Sequence, residues 1–197
     1  MNIDGSAPKQ ISNGEGRTTC AYYFKSGKRV LYASTQSGGR ECPPEPDRSK
    51  GYVWPVYADY ELYTANADGS DIKRLTNSPG YDAEATVSPD GKKIVFTSER
   101  DGDLDLYSMD INGKNVKRLT DVVGYDGGAF YSPDSKMIVY RRAAQETPEA
   151  VQRYKELLAR HLVVPTIFEI WVMNADGSNK RQVTRLDSAS FAPFFTP

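Results

Sequence analysis

A short turn of the pattern Asx-x-Asx-Gly occurs four times in this chain, and its spacing is the strongest constraint on the fold. The glycines of the four copies are Gly5, Gly69, Gly113 and Gly177, which lie 64, 44 and 64 residues apart. Each copy is followed by a segment that ends in an apolar residue and a hydroxyl residue: Ile11-Ser12, Leu75-Thr76, Leu119-Thr120 and Val183-Thr184. A period in the forties with Asx-Gly turns and short strands is typical of a β-propeller.

The copy from Tyr81 to Thr120 has no insertion and therefore defines the repeating unit. Its first strand, residues 83–88, is rich in small side chains, which suit the crowded axis of a propeller. β-Branched, aromatic and alternating segments follow it. The expected fold is all-β, a partial β-propeller of four-stranded antiparallel blades. We predict complete blades at 18–76, 81–120 and 124–184, and partial blades at 1–12 and 187–197.

Both long repeats exceed the 44-residue repeat by 20 residues, and the additions are predicted at about 36–58 and 143–166. Both fall between the second and third strands of a blade, so they should decorate the same face of the propeller. The second insertion should contain a helix, with Thr147 as N-cap, Pro148 at the first helical position and Pro165 as the stop signal. Its apolar stripe is Val151, Tyr154, Leu157, Leu158 and Leu162.

The first insertion is predicted to be an irregular loop, because three prolines between Cys42 and Pro46 interrupt any sheet. Its aromatic residues Tyr52, Trp54 and Tyr57 could pack on the blades or stack on a ligand. Cys42 and Cys20, at the start of an inner strand, should lie on the same face. They could form a disulfide in an oxidising compartment or remain free thiols.

Composition and motifs argue against several classes of function. The formal net charge of -1 gives no electrostatic case for nucleic-acid binding, and no apolar run is long enough for a membrane span. No Gly-x-Ser-x-Gly elbow and no phosphate-binding glycine loop occurs, and His161 is the single histidine. We therefore expect no catalytic residue, metal or cofactor within this segment. No signal peptide is visible, but Met1 and Pro197 both fall inside repeat elements, which indicates an internal segment of a longer protein.

A repeated Gly-Tyr-Asp element, at 80–82 and 124–126, precedes two of the predicted inner strands. In a propeller these positions surround the central channel on the face that carries both insertions. Acidic side chains there could bind a cationic peptide or sugar hydroxyls, or could instead cap neighbouring backbone turns. The candidate partner-binding residues are Tyr81, Asp82, Glu84, Tyr125 and Asp126.

The segments Val87–Phe96 and Ile170–Ser178 resemble the repeats of TolB-like propellers, and the resemblance extends over almost the whole chain. It implies six blades in the complete protein, a periplasmic or extracellular location, and a non-enzymatic role in which a protein or carbohydrate partner binds the insertion-bearing face. Related propellers also cap prolyl-oligopeptidase-type enzymes or belong to carbohydrate-active proteins. The alternative is therefore the propeller domain of an enzyme whose catalytic part lies elsewhere.

Overall fold

The structure, a computed structural model, describes residues 4–49, 51–165 and 167–196. Its elements, in chain order, are β1 (Thr18–Tyr23), β2 (Arg29–Ser34), β3 (Trp54–Pro55), β4 (Glu61–Asn66), β5 (Lys73–Arg74), β6 (Asp82–Val87), β7 (Lys93–Ser98), β8 (Asp105–Asp110), β9 (Lys117–Arg118), β10 (Gly124–Tyr131), β11 (Met137–Ala144), α1 (Pro148–Leu158), β12 (Leu162–Val163), β13 (Glu169–Asn174) and β14 (Arg181–Gln182). They form four-stranded antiparallel sheets in the orders β1-β2-β4-β5, β6-β7-β8-β9 and β10-β11-β13-β14. The predicted all-β partial propeller is confirmed.

The sheets pack face to face, with the first strand of each one innermost. Strand β6 contacts both β1 and β10, so the inner strands of the three sheets lie side by side. One apolar cluster joins the first and second sheets, with Leu31 and Phe96 among its fully buried members. A second cluster joins the second and third sheets around Leu106 and Tyr140. Burial of these faces provides the main driving force for stacking the blades.

The hydroxyl residue after each outer strand fastens that strand to the next one inward. Thr76 Oγ accepts a hydrogen bond from the Leu62 N–H at 2.9 Å and donates to the Glu61 carboxylate, which also accepts from Arg74 at 2.6 Å. The same hydroxyl, amide and carboxylate recur in the other sheets at Thr120, Leu106 and Asp105 and at Thr184, Ile170 and Glu169. In three of the four copies of the repeated apolar-hydroxyl pair, the hydroxyl therefore holds the outer strand to its neighbour.

The two insertions are joined to each other. Strand β3 of the first pairs antiparallel with β12 of the second, and the Val56 N–H donates to the His161 carbonyl at 2.9 Å. The prediction of a wholly irregular first insertion was therefore wrong, because the backbone groups of this short segment gain partners from the other insertion. Helix α1 begins after Thr147, whose side chain accepts from the Ala150 N–H.

The helix ends earlier than the sequence predicts. It stops at Leu158, before Pro165, because the chain turns at His161, which has a left-handed φ of 56°, into β12. Leu162 therefore belongs to a strand and not to the helical stripe. Tyr154 and Leu158 are buried, and the Tyr154 hydroxyl donates to Asp103 Oδ1 at 2.7 Å, which docks the helix on the second sheet. Thr166 lies outside the described residues.

One backbone contact recurs between successive repeats. The N–H groups of Asp82, Asp126 and Ser190 donate to the carbonyls of Tyr60, Leu104 and Phe168 at 2.9, 2.8 and 3.0 Å. Each contact ties the start of one repeat to the residue before the third strand of the preceding repeat. Residues 1–3 and 197 lie outside the described residues, and the blade limits given above remain predictions.

We predict that Gly113→Ala destabilises the protein by about 1–3 kcal/mol. Gly113 has φ +83°, and an added Cβ would lie 2.6 Å from the Leu75 carbonyl oxygen of the preceding blade. Gly102→Ala is the matched control, because Gly102 has φ +84° with nothing within 4 Å of its Cβ position. Urea unfolding measures the loss of unfolding free energy in both variants. The loss in Gly102→Ala reflects the strain of a positive φ, and the additional loss in Gly113→Ala reflects the contact with Leu75. Equal destabilisation would show that contact between the blades contributes nothing at this turn.

Candidate functional site

A bulge lies at the same position of each inner strand. The pairing register shifts within β1, β6 and β10, and a residue with left-handed φ lies in each bulge. The bulge residues are Cys20 (φ 52°), Glu84 (55°) and Gly128 (58°). Ala192, at the corresponding position after the third sheet, has a similar φ of 48°. Their spacing of 64, 44 and 64 residues matches that of the turn glycines. A non-glycine residue in this conformation is strained and is held there by its surroundings.

Glu84 is held by donors from three strands. Arg141 Nη2 and the Tyr125 hydroxyl donate to its Oε1 at 2.5 and 2.7 Å, and the Gly128 N–H and Thr97 Oγ donate to its Oε2 at 2.9 and 3.2 Å. Burial acts to raise the pKa of Glu84, but Arg141 and the other donors outweigh it and leave that pKa lowered. Glu84 is therefore a charged carboxylate, and each of its two oxygens accepts two hydrogen bonds.

Aromatic rings enclose the Arg141 guanidinium. Its central carbon lies 5.7 Å from the Trp54 ring, 5.2 Å from Tyr125, 5.5 Å from Phe168 and 6.0 Å from Phe191. Contacts of a guanidinium with ring faces at this range are favourable, more so when buried. Arg141 therefore links the first insertion, through Trp54, to the segment after the second insertion and to two inner strands. We call Glu84, Tyr125, Arg141 and Trp54 the Arg141 cluster.

Asp82, the first residue of β6, and Tyr81, which immediately precedes it, are buried. Arg100 Nη2 donates to both carboxylate oxygens of Asp82 at 3.1 Å, and Ser78 Oγ donates to Oδ2 at 2.7 Å. The Tyr81 ring contacts Tyr60 edge-on at 5.6 Å between centroids, and burial raises its pKa well above the ordinary value. Asp82 therefore anchors the preceding loop and a neighbouring arginine.

Asp126 is also buried, and among the described residues neither of its carboxylate oxygens accepts a hydrogen bond. Its nearest cation is Arg142, whose Nε lies 3.7 Å from Oδ1. Burial raises the pKa of Asp126 to about 8, against the opposing effect of Arg142. Arg142 in turn lies over the Trp171 ring at 4.9 Å. Burial therefore favours the protonated form of this carboxyl, and the Arg142 guanidinium opposes that effect.

The structure brings Glu84 and Tyr125 into direct contact but places Asp82 and Asp126 in separate networks. The sequence analysis did not identify the arginine that faces each acid: Arg100, Arg141 and Arg142. These guanidinium groups offset the negative potential that the repeated acids were expected to concentrate. Among the five predicted residues, Glu84 alone keeps an intermediate exposure, while Tyr81, Asp82, Tyr125 and Asp126 are buried.

The cysteines are free thiols in this structure. Cys20 occupies the bulge of β1, and Cys42 Sγ donates to the Gly16 carbonyl at 3.2 Å. Within residues 4–49, 51–165 and 167–196, no group of three or more His, Cys, Asp or Glu side chains could hold a metal ion. In the same part of the chain, no helix is long and apolar enough to cross a membrane.

These features define a segment of a β-propeller: four-stranded antiparallel sheets, a bulge in each inner strand, and turns at a common repeat spacing. Residues 56–164, more than half of the chain, match the TolB beta propeller domain family, and the chain belongs to that family. The Tol-Pal system protein TolB of Bordetella pertussis is 34% identical over an alignment of 93 positions, which covers 40% of this chain and 21% of that protein. The chain thus matches about a fifth of the length of that relative.

Solved structures share the fold at low sequence identity. A TolB candidate from Agrobacterium tumefaciens superposes with a TM-score of 0.60 at 18% identity, over 84% of this chain and 48% of that one. A puromycin hydrolase gives a TM-score of 0.54 at 14% identity, over 86% of this chain and 22% of the hydrolase. At these identities the likeness establishes the fold alone.

We predict that wild-type stability falls as the pH rises from about 4 to 8, and that Asp126→Asn weakens this dependence. The unfolded chain loses the Asp126 proton near the ordinary pKa of 3.8, whereas the folded chain holds it to about pH 8. Between these values the unfolded state binds fewer protons, so unfolding becomes easier by at most about 1.4 kcal/mol per pH unit for one group. Denaturant unfolding at several pH values measures the slope.

Asp82→Asn is the control for this experiment, since Asp82 has strong donors. It should lower the melting temperature by several degrees, because the amide cannot replace both bonds from Arg100. If Asp126→Asn has the same pH dependence as the wild type, or melts as early as Asp82→Asn, the interpretation of a buried protonated carboxyl is wrong.

Proposed function

We propose that this chain is part of a non-enzymatic binding scaffold of the bacterial cell envelope, located in the periplasm, whose insertion-bearing face binds a protein or carbohydrate partner. Membership of the TolB beta propeller domain family and the similarity to a Tol-Pal system protein support this proposal. The location and the kind of partner are part of the proposal.

The observation that carries the proposal is the way the insertions are built. Strands β3 and β12 join them, and Trp54 packs against the Arg141 guanidinium at the inner strands. Two surface insertions held to each other and to the propeller axis form a preorganised platform, which lowers the entropic cost of binding. Tyr52, in the first insertion, has 65% of its surface exposed beside this platform.

Tyr81, Asp82, Glu84, Tyr125 and Asp126 keep a role in this proposal, but chiefly an indirect one. Four of them are buried and would position the platform rather than contact the partner. Glu84 is the member with an accessible side chain, at 14% exposure. We propose that their interactions with arginines fix the loops that precede the inner strands.

A second candidate function is the propeller domain of an enzyme, which the fold similarity to a puromycin hydrolase favours. In that case the catalytic residues would belong to another domain, and this segment would gate access to them. The described residues offer no nucleophile with a histidine partner, since His161 is the single histidine of the chain and lies in an insertion.

Two tyrosines of similar exposure allow a matched test of the leading proposal. Tyr52 belongs to the first insertion, whereas Tyr23, 57% exposed, ends β1 away from the insertions. We predict that Tyr52→Ala weakens binding of purified Tol-Pal proteins from the same organism by about ten-fold, as loss of an exposed aromatic contact at an interface does. Tyr23→Ala should bind like the wild type, as measured by calorimetry.

A wild-type chain that binds none of these proteins would contradict the envelope-scaffold proposal and favour the second candidate. If Tyr23→Ala weakens binding while Tyr52→Ala does not, the partner uses the opposite face and the proposed platform is wrong. Thermal melting of both variants checks that any loss of binding is not a loss of folding.

A further inference from the structure

Most lysines of this chain lie at one end of the three sheets, opposite the insertions. The segments that connect the first strand of each sheet to the second and the third to the fourth, with their flanking strand residues, are 24–29, 66–73, 88–93, 110–117, 132–137 and 174–181. They contain nine of the twelve lysines, two arginines and six aspartates, so they carry a net charge of +5. Since the whole chain carries -1, the remainder carries -6. We call these six segments the lysine face.

The segments of the lysine face lie side by side across neighbouring sheets. Between the second and third sheets, the Asp90 N–H donates to Ser135 Oγ at 3.0 Å. Between the first and second sheets, a Cβ added at Gly91 would lie 3.8 Å from the Lys25 Cβ. The lysine face is therefore one continuous surface across three blades, and the potentials of its charges add.

The acids of this face are held at the backbone, whereas over half of its lysines extend freely. Asp68, Asp134 and Asp176 each accept a hydrogen bond from the N–H two residues further on, at 2.9, 3.1 and 2.9 Å. Four ammonium groups contact an aspartate side chain or carbonyl: Lys73, Lys92, Lys93 and Lys117. Five lysines are exposed, and their ammonium groups form no ion pair or hydrogen bond with the described residues: Lys25, Lys28, Lys114, Lys136 and Lys180. Because a lysine side chain is longer than that of aspartate, the outermost charges of this face are positive.

Exposed apolar side chains accompany these charges. Tyr23, which immediately precedes the segment 24–29, is 57% exposed, and Ile111 and Val116, on either side of Lys114, are each 40% exposed. An aromatic ring with a polar tip and aliphatic groups beside lysines are typical of surfaces that lie in the headgroup region of a bilayer.

The residue types favour a lipid surface over a protein or a nucleic acid as the partner. Protein interfaces are enriched in arginine and depleted in lysine, and specific base contacts also use arginine for its paired donors. Nine of the eleven basic residues here are lysines. Attraction to an anionic leaflet requires only positive charges near its surface and no fixed donor geometry.

We propose that the lysine face binds the surface of a bilayer that contains anionic lipid headgroups. The free lysines supply the attraction, and Tyr23, Ile111 and Val116 contact the headgroup region. Because the insertions lie at the opposite end of the sheets, a protein or carbohydrate partner could bind there at the same time. This inference goes beyond the proposed scaffold function, since it concerns the other face of the chain.

Vesicle flotation tests this proposal without a partner protein, because aggregated protein stays at the bottom of the gradient. We expect the chain to bind vesicles of about one third phosphatidylglycerol in phosphatidylcholine at least about ten-fold more tightly than vesicles of phosphatidylcholine alone. In about 1 M salt, where the Debye length is about 3 Å, this preference should disappear. Absence of binding, or equal binding to both kinds of vesicle, would overturn the proposal.

Two triple variants with the same change in net charge assign the surface. The first removes one free lysine from each sheet: Lys25→Gln, Lys114→Gln and Lys136→Gln. The control removes three exposed cations at and just after α1, on the insertion-bearing side: Arg153→Gln, Lys155→Gln and Arg160→Gln. Each lysine near an anionic surface contributes about five-fold to affinity, so the first variant should lose on the order of 100-fold, whereas the control should bind like the wild type.

A loss in the control as large as that in the first variant would overturn the assignment to the lysine face. Thermal melting shows whether both proteins are folded, as expected for substitutions of exposed side chains. If the first variant does not fold, the comparison of the two kinds of vesicle on the wild type decides.

A short DNA duplex is the third probe, since it carries phosphate charge in two rows and offers no headgroup region for apolar side chains. At equal phosphate concentration, we expect it to bind more weakly than the vesicles that contain phosphatidylglycerol. Tighter binding to the duplex would overturn the assignment to a lipid surface. None of these measurements uses Tyr52 or a Tol-Pal protein, so the lysine face can fail while the scaffold function stands, and the converse also holds.

Discussion

The ion pair between Glu84 and Arg141 is the interaction on which the inner part of this structure depends. It joins β6 of the second sheet to β11 of the third at 2.5 Å, across the inner strand β10. The same guanidinium packs against Trp54, so the first insertion is held by the pair that holds the blades together. A buried pair of this kind is stabilising only when further hydrogen bonds satisfy its remaining groups, and Tyr125 and Gly128 supply them.

This pair also links the fold to the proposed function. The insertion-bearing face would be a set of mobile loops if its segments were anchored only to the strands they leave. Pairing of β3 with β12 and enclosure of Arg141 by aromatic rings instead give the face a fixed shape. Arg142, the next residue of β11, has its side chain toward the opposite face of the sheet and pairs with Asp126 of β10. Adjacent arginines of one strand therefore serve different pairs, one that joins two sheets and one within a single sheet.

Much of the fold could be predicted from the sequence, because the blade turns are local. Gly113 and its counterparts have a positive φ, which the tight turn requires and which glycine adopts without strain. Thr147 and Pro148 likewise mark the start of the helix through residues that are adjacent in the sequence. The site could not be predicted to the same depth. Glu84 and Arg141 are 57 residues apart, and nothing in the local pattern pairs them. The bulges in the inner strands lie at Cys20, Glu84 and Gly128. Only the glycine among these residues favours a left-handed φ, so the residue types alone do not reveal the bulges. Their common spacing was the one signal in the sequence.

The central claim is most directly tested by a double-mutant cycle on Glu84→Gln and Arg141→Gln, with denaturant unfolding at pH 7. The account predicts a coupling free energy on the order of 1–3 kcal/mol, since each single variant leaves a buried group without its partner. The exposed pair of Lys93 and Asp110, at 2.6 Å within one sheet, is the reference and should give no more than about 0.5 kcal/mol. Additive effects of the Glu84 and Arg141 variants, within about 0.5 kcal/mol, would contradict the claim that this pair holds the blades and the first insertion together.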